Sequence, residues 1–475
     1  MVLQFAAQRI ERLTLYASLW DDNIDPVIRL QDKVLAEGAL LALLLSRHGL
    51  ARDEHPDFHR FVGHIRRQAR DVRQRILLMR YPQTVVPIAL IHGALTELGF
   101  PDAEMQHLLT AIFDRDMEKM IERIPYRTME TRWVRLLVTG DQTFKVDDLV
   151  PLTILGSRAH PFSMSREDMY AVTHAMMYLT QFGDVPVCAG LSRPTVASQI
   201  DACLTWTILT EDMDLTIELI LAATLLRMPW SPYVQIAWGF LDEVWTTLDF
   251  LPSPSLVPSE VERRDGDARD AYVFQNTYHT MFVAGLLSAI LLRSLPISPA
   301  QDSVDVRSAL VEIAGRCEAA AARAFSSSAA NPGLDDSPQL DIARCIETAC
   351  EILTELQPRH RWWRTLLAAG SRDHLQMIVD AALIAAARSY DFGRLIALLD
   401  DAILLDDALS PTLLEAIDFV LRQQLPSGLF CAQFVEPSLR AHPSARKVAE
   451  AVATSLRRYA ARLRVAEQMI VTATV

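Results

Sequence analysis

Glycine is scarce and lysine almost missing. The 475-residue chain holds 17 glycines, and of its 46 basic residues only Lys33, Lys119, Lys145 and Lys447 are lysines. Glycine is a poor helix former, whereas the abundant Ala, Leu and Arg are good ones, so composition favours helix before any periodicity is read. The arginine bias is what a GC-rich genome produces and points to no activity. Cysteine is limited to Cys188, Cys203, Cys317, Cys345, Cys350 and Cys431, with no C-x-x-C spacing. A chain this long buries a large core without staples, so these residues read as reduced thiols in a cytoplasmic protein.

Long apolar runs are missing too. The stretches Gly38 to Leu45 and Leu215 to Leu226 fall short of the roughly 20 residues a bilayer span needs, which excludes a membrane span. The first residues, Met1 to Phe5, lack a basic region followed by an apolar one, so no secretory leader is expected. An excess of cations is also absent. The net charge of −13 argues against a groove that neutralises a phosphate backbone, and no nucleic-acid partner is expected. Arg66, Arg67, Arg70, Arg73, Arg75 and Arg80 read as the solvated face of one amphipathic helix, with His55, His59 and His64 on the same exposed side.

What the sequence does hold is helical periodicity, almost throughout. The spacing of apolar residues predicts helices over 5–20, 27–48, 57–80, 84–99, 103–123, 146–156, 166–182, 195–210, 212–227, 232–249, 277–293, 303–325, 340–356, 372–388, 392–405, 411–424 and 439–462. Ser165 before Arg166-Glu167-Asp168 and Ser410 before Pro411 are N-cap signals; Gly99, Gly183 and Gly428 are stop signals. No window alternates like a strand. Loops are expected at the proline-rich 252–270 and at 326–339, a run of Ser, Ala, Asn, Pro and Gly. The fold class is therefore all-α, as antiparallel helix pairs in an α/α toroid or a curved array. An N-terminal helical region over 1–158 precedes a toroid-like domain over 159–475.

Polar residues set in apolar helices are where chemistry is expected. Tyr170, His174 and Tyr178 recur at i, i+4, i+8 on one stripe, flanked by Thr173 and Thr180. His279 opens another apolar helix beside Tyr278 and Thr280. A single buried histidine reads most simply as a core residue with both nitrogens satisfied; two of them with Tyr and Thr neighbours suit one polar pocket. Glu218 lies among Leu215, Ile217, Leu219 and Ile220, where a carboxylate is either buried with a partner or caught at a helix edge. Asp212 and Asp214 read as caps. Asp184 follows Gly183 at a helix C-terminus, where the dipole disfavours an acid, so it requires a partner such as His, Arg or a metal.

The expected catalytic set is thus His174 and His279 as an acid–base pair, Tyr178 and Tyr278 to orient them, and Glu218 or Asp184 as the partner. No cofactor is required; a zinc alternative would draw on Asp184, Cys188, His174 and His279. Trp206, Trp230, Trp238 and Trp245 read as core packing, with a cation-stabilising wall as the alternative. The region before residue 150 offers no constellation, and His92 reads as core.

Two resemblances follow. The run Gln424-Leu425-Pro426-Ser427-Gly428-Leu429-Phe430 resembles the Q-x-x-x-G-x-F/W turn of terpenoid-cyclase and prenyltransferase toroids, in which the glutamine caps a helix end and the aromatic ring plugs the turn. The string Thr173-His174-Ala175-Met176-Met177-Tyr178-Leu179-Thr180-Gln181-Phe182-Gly183 carries a T-H-x-x-x-Y-x-T-x-F-G pattern. With Asp214 to Ile220, Tyr278-His279-Thr280 and the Gln424 turn, it resembles an uncharacterised family of bacterial helical proteins over about residues 160–435. That resemblance implies a toroid-like fold and a setting near natural-product biosynthesis genes. The expected function is a cofactor-independent cyclase or lyase acting on a small-molecule or peptide-derived intermediate. The alternative is a non-catalytic scaffold or carrier.

Overall fold

The structure is a computed structural model. It describes the chain except for residues 21–28, 50–54, 142–144, 158, 189, 294–305, 327–341, 357–361, 406–408, 431–442 and 474–475. The all-α class holds: among the described residues the only bridge between extended segments is the isolated pair Gln424–Phe430. No helix among them is long and apolar enough to cross a membrane.

The chain forms two compact units. The first comprises residues 1–158, 166–200 and 212–300, and so takes in both sides of the expected 158/159 boundary. Its centre is built from three predominantly apolar helices that carry no solvated polar face along most of their length: Val85–Glu97, Met213–Leu225 and Tyr278–Arg293. A helix that is mostly apolar all round has to be surrounded, and every residue from Met213 to Ala223 is buried, Asp214 and Glu218 included. Tyr278–Arg293 packs on Met213–Leu225 and on Leu30–Arg47, while Arg166–Leu179 packs on Met213–Leu225 and on Pro125–Thr139. Each fully buried Leu or Ile here contributes roughly 1.5–3 kcal/mol relative to an exposed one. Close contact at Gly285 shows how tight the packing is. A Cβ there would sit 2.7 Å from a methyl of Leu41.

The second unit comprises residues 159–165, 201–211 and 301–475. Val306–Ser326 lies along the long helix Pro443–Ala473, and Arg372–Arg388 packs against Ile342–Leu356, Phe392–Leu405 and Pro411–Arg422. The Gln424 turn has part of the expected local construction: the aromatic ring packs inward, but the glutamine bonds within a helix and does not cap its last carbonyls. The Gln424 amide donates to the carbonyls of Ala320 and Gly428, and Arg323 donates to its oxygen at 2.7 Å. The Phe430 ring packs 6.1 Å from that of Phe392. Gln424 thereby gives the Ala320 carbonyl, in the last two turns of Val306–Ser326, a second hydrogen bond and ties the turn to that helix.

Several expectations are corrected. The segment 57–80 is two helices, Pro56–Ala69 and Val72–Arg80, because the chain leaves helical geometry at Arg70 and Asp71 restarts it by accepting from the Arg73 backbone N–H. The run 146–156 forms short 3-10 turns, Asp147–Leu152 and Ile154–Gly156. The loop at 252–270 contains the short helix Pro258–Glu262 and the start of Gly266–Gln275. The helices Pro125–Thr139 and Trp363–Ala369 were not anticipated. Apart from Ser326, the expected linker 326–339 lies outside the described residues.

The arginine face is not wholly solvated either. Arg73 grips the buried Asp32 at 2.7 Å, Arg75 pairs with Asp102 at 2.8 Å, and His64 is buried. His92 is core as expected, within 2.7 Å of the Gln106 side chain. None of the four clustered tryptophans is fully buried, and Trp238 is 40% exposed.

Candidate functional site

Helices of the first unit bring one polar corner together. Met213–Leu225 starts at Asp212, whose carboxylate accepts from the Leu215 N–H at 3.1 Å. Asp214 and Glu218 are one turn apart on this helix, hence on one face. That face meets Tyr170, Thr173 and His174 from Arg166–Leu179, His279 and Thr280 from the start of Tyr278–Arg293, and, through His279, Glu37 from Leu30–Arg47.

Glu218 is fully buried and holds both imidazoles. Its Oε2 accepts from the Thr173 hydroxyl at 2.5 Å and lies 3.4 Å from His174 Nδ1; its Oε1 lies 3.3 Å from His279 Nε2. His174 Nδ1 also sits 3.0 Å from the Tyr170 carbonyl oxygen. A carbonyl only accepts, so Nδ1 carries the hydrogen. On the other ring, His279 Nδ1 lies 2.7 Å from Glu37, while Nε2 has the Tyr170 hydroxyl at 3.0 Å and Asp214 Oδ1 at 3.6 Å. Asp214 in turn accepts from Thr280 at 3.2 Å and from Arg166 at 3.3 Å, and Arg166 also grips Asp212 at 2.7 Å.

The two histidines are driven in opposite directions. Burial disfavours charge on both. At His174 burial prevails over the attraction of Glu218, and the pKa falls below the usual histidine value. At His279 the carboxylates of Glu37, Asp214 and Glu218 outweigh burial and hold the pKa well above it. Burial pushes Glu218 up, but His174, His279 and Thr173 bring it below the ordinary glutamate value. Glu37 is likewise lowered, with His279 and Lys33 overcoming burial. Asp214 is raised, by burial first, and Tyr170 is raised by burial and then by Glu218. A neutral imidazole and a protonated one that touch the same carboxylate form the kind of split pair that general acid–base chemistry uses.

The corner opens on a cleft of about 1010 Å³ within the first unit. Tyr126, Ile154, Arg166, Tyr170, Asp214 and His279 line it. His279 therefore faces the cleft. His174 stands behind Tyr170, whose ring stacks on it at 4.1 Å.

Of the residues expected from sequence, His174, His279 and Glu218 are brought together. Tyr178 and Tyr278 do not orient the imidazole nitrogens. The Tyr178 hydroxyl donates to Glu130 at 3.1 Å, in a chain that continues to Arg127, and Tyr278 presents its ring to Phe274 and Phe282 while lining the cleft. Tyr170 does the orienting instead. Asp184 is elsewhere, paired with Arg47 at 2.9 Å and Arg293 at 2.7 Å; the acid at a helix end found cations. Glu37 was missed altogether, and Asp214 is more than a cap. The metal-ligand set built on Asp184 and Cys188 does not assemble. Among the described residues, Asp214, Glu218 and His279 do, each offering one ligand atom and all within 4.8 Å of one another.

No curated protein and no solved structure matches the chain. A family profile does, over residues 1–289, which shares 160–289 with the 160–435 suggested by the resemblance. The match takes in the N-terminal third and every residue of the corner and ends before the Gln424 turn. With more than half its length covered, the chain belongs to the family described as a domain of unknown function, DUF6895.

Proposed function

We propose that the chain is an enzyme of the cyclase or lyase type. It acts by acid–base chemistry on a small organic intermediate of specialised metabolism held in the 1010 Å³ cleft. One observation carries this reading: Glu218, buried among aliphatic residues, touches both His174 and His279, and the second of these faces the cleft. A buried carboxylate costs several kcal/mol unless it is paired, so a purely structural interior gains little from such an arrangement. In a cleft wall the same arrangement supplies a proton path. His279 delivers a proton through the Tyr170 hydroxyl, which lines the cleft and lies 3.0 Å from Nε2. Asp214, the carboxylate of the set that lines the cleft, accepts the proton lost by the substrate. Glu218 and His174 re-equilibrate the charge behind them.

The α/α toroid remains part of the proposal; its local support is the Gln424 turn. The carrier alternative draws on a separate apolar hollow of about 410 Å³ beside Trp238 and Trp245. It gives no reason for two histidines to share a carboxylate.

The test is metabolite profiling. Wild-type chain is incubated with a filtered small-molecule extract and compared with His279→Gln and His174→Ala. The expected result is a product formed by wild type and reduced by about 10²–10⁴-fold in His279→Gln. The same product profile from wild type and both variants removes the catalytic reading.

A further inference from the structure

His279 is held in a way that poses a chemical question. Its Nδ1 lies 2.7 Å from the Glu37 carboxylate, which can only accept while ionised, so Nδ1 carries a hydrogen. In a neutral ring Nε2 then presents a lone pair. That lone pair faces Glu218 Oε1 at 3.3 Å and Asp214 Oδ1 at 3.6 Å. The Tyr170 hydroxyl, 3.0 Å from Nε2, can give that lone pair a hydrogen, but it leaves two carboxylates facing each other there, which a positive charge would balance. A proton on Nε2 is one such charge. A metal ion is another, and the surroundings are built as metal surroundings commonly are.

We infer that Asp214, Glu218 and His279 form a binding site for one divalent cation of the first transition row, which takes the place of the Nε2 proton. Several independent features support this. The three ligand atoms lie within 4.8 Å of one another, a spread that a small inward adjustment closes around a single ion. Each ligand is fixed from behind by its own partner. Glu37 orients the imidazole, Thr173 holds the far oxygen of Glu218 at 2.5 Å, Thr280 bonds to Asp214 at 3.2 Å, and Arg166 holds that residue's other oxygen at 3.3 Å. A ligating histidine whose other nitrogen donates to a carboxylate is a recurrent device for fixing the ring and strengthening the ligand. Two carboxylates and one imidazole suit Mn²⁺ through Zn²⁺; calcium, which takes six to eight oxygens, would find too few. Asp214 and His279 also line the cleft, so positions on the ion stay open to water or to a bound molecule.

The cation regulates the proposed acid–base site, and that consequence alone rests on the acid–base reading. With the ion bound, Nε2 has no proton to give to Tyr170, and the proton path is interrupted. Binding itself stands apart from catalysis. A chain that binds the ion and turns nothing over supports the site and sinks the acid–base reading; turnover without ion binding does the reverse.

The experiment uses the full chain, stripped with a chelator and titrated with Co²⁺ by calorimetry and visible absorption. Zn²⁺ is then added to compete. One Co²⁺ per chain is expected, displaced by Zn²⁺ and weakened at least about tenfold in both Asp214→Asn and His279→Gln, with helical circular dichroism unchanged. His55 and His59, exposed and one turn apart, are an alternative chelating pair. The His55→Gln/His59→Gln variant is therefore expected to bind Co²⁺ as wild type does. The inference is overturned if no stoichiometric Co²⁺ binds. It is also overturned if binding survives in His279→Gln and Asp214→Asn, or disappears with His55 and His59. Should Asp214→Asn fail to fold, His279→Gln alone decides.

Discussion

One unit half-buries a histidine and the other buries one, and they treat the ring in opposite ways. In the first unit His279 is surrounded by Glu37, Asp214 and Glu218, which hold positive charge at the ring against the cost of burial. In the second unit the His160 ring lies tilted against that of Phe162, centroids 4.7 Å apart, accepts the Phe162 N–H at Nδ1, and has a buried Nε2 with no hydrogen-bond partner. Burial, aided by Arg422, drives its pKa down to about 3. The same side chain is a charged centre in one place and a neutral aromatic filler in the other. Burial alone therefore does not mark a functional histidine. What distinguishes His279 is the number of carboxylates converging on it and the cleft beyond.

The largest effect that would break this contrast is on stability against pH. His160 has a folded value of about 3 against an ordinary 6.5, so the unfolded chain takes up its proton first as the medium is acidified. Its stabilising contribution is complete above pH 6.5 and is lost progressively as pH falls towards 3, on the order of 5 kcal/mol in all. Urea unfolding of wild type and His160→Phe from neutral to acidic pH checks this, with a shallower loss expected in the variant. Equal slopes would mean that the ring is not held neutral.

A smaller effect sharpens the contrast by striking the second unit at its backbone. Gly428 has φ +84°, and a Cβ there would sit 2.5 Å from the Arg323 carbonyl oxygen. Gly428→Ala is expected to destabilise by about 2 kcal/mol through the left-handed strain and the clash, measured by chemical denaturation. A neutral outcome would mean that the Gln424 turn does not pack on the helix end as described.

The helices were legible because apolar spacing is a property of the sequence itself. His174, His279 and Glu218 were legible for a related reason: each is a polar residue in a run that otherwise belongs to the core. The same signal was present at Glu37, between Ala36 and Gly38 in a run ending in leucines, and it went unread because no histidine stood nearby in sequence. Asp214 was hidden by its place in a first helical turn, where an acid already has a reason to be. Tyr170 was on the right stripe, but only tertiary packing decides which tyrosine reaches a nitrogen; Tyr178 was drawn away by Glu130. Asp184 was correctly read as needing a partner, and arginines far off in the sequence supplied it.

The smallest effect is the most direct test. A double-mutant cycle on unfolding free energy, using His174→Ala, His279→Ala and the pair, asks whether the rings share Glu218. The account predicts a coupling of at least about 0.5 kcal/mol, because removing one imidazole changes the charge balance the other meets at the same carboxylate. Effects that add to within about 0.3 kcal/mol would mean that the histidines are independent, which contradicts a single corner held by Glu218.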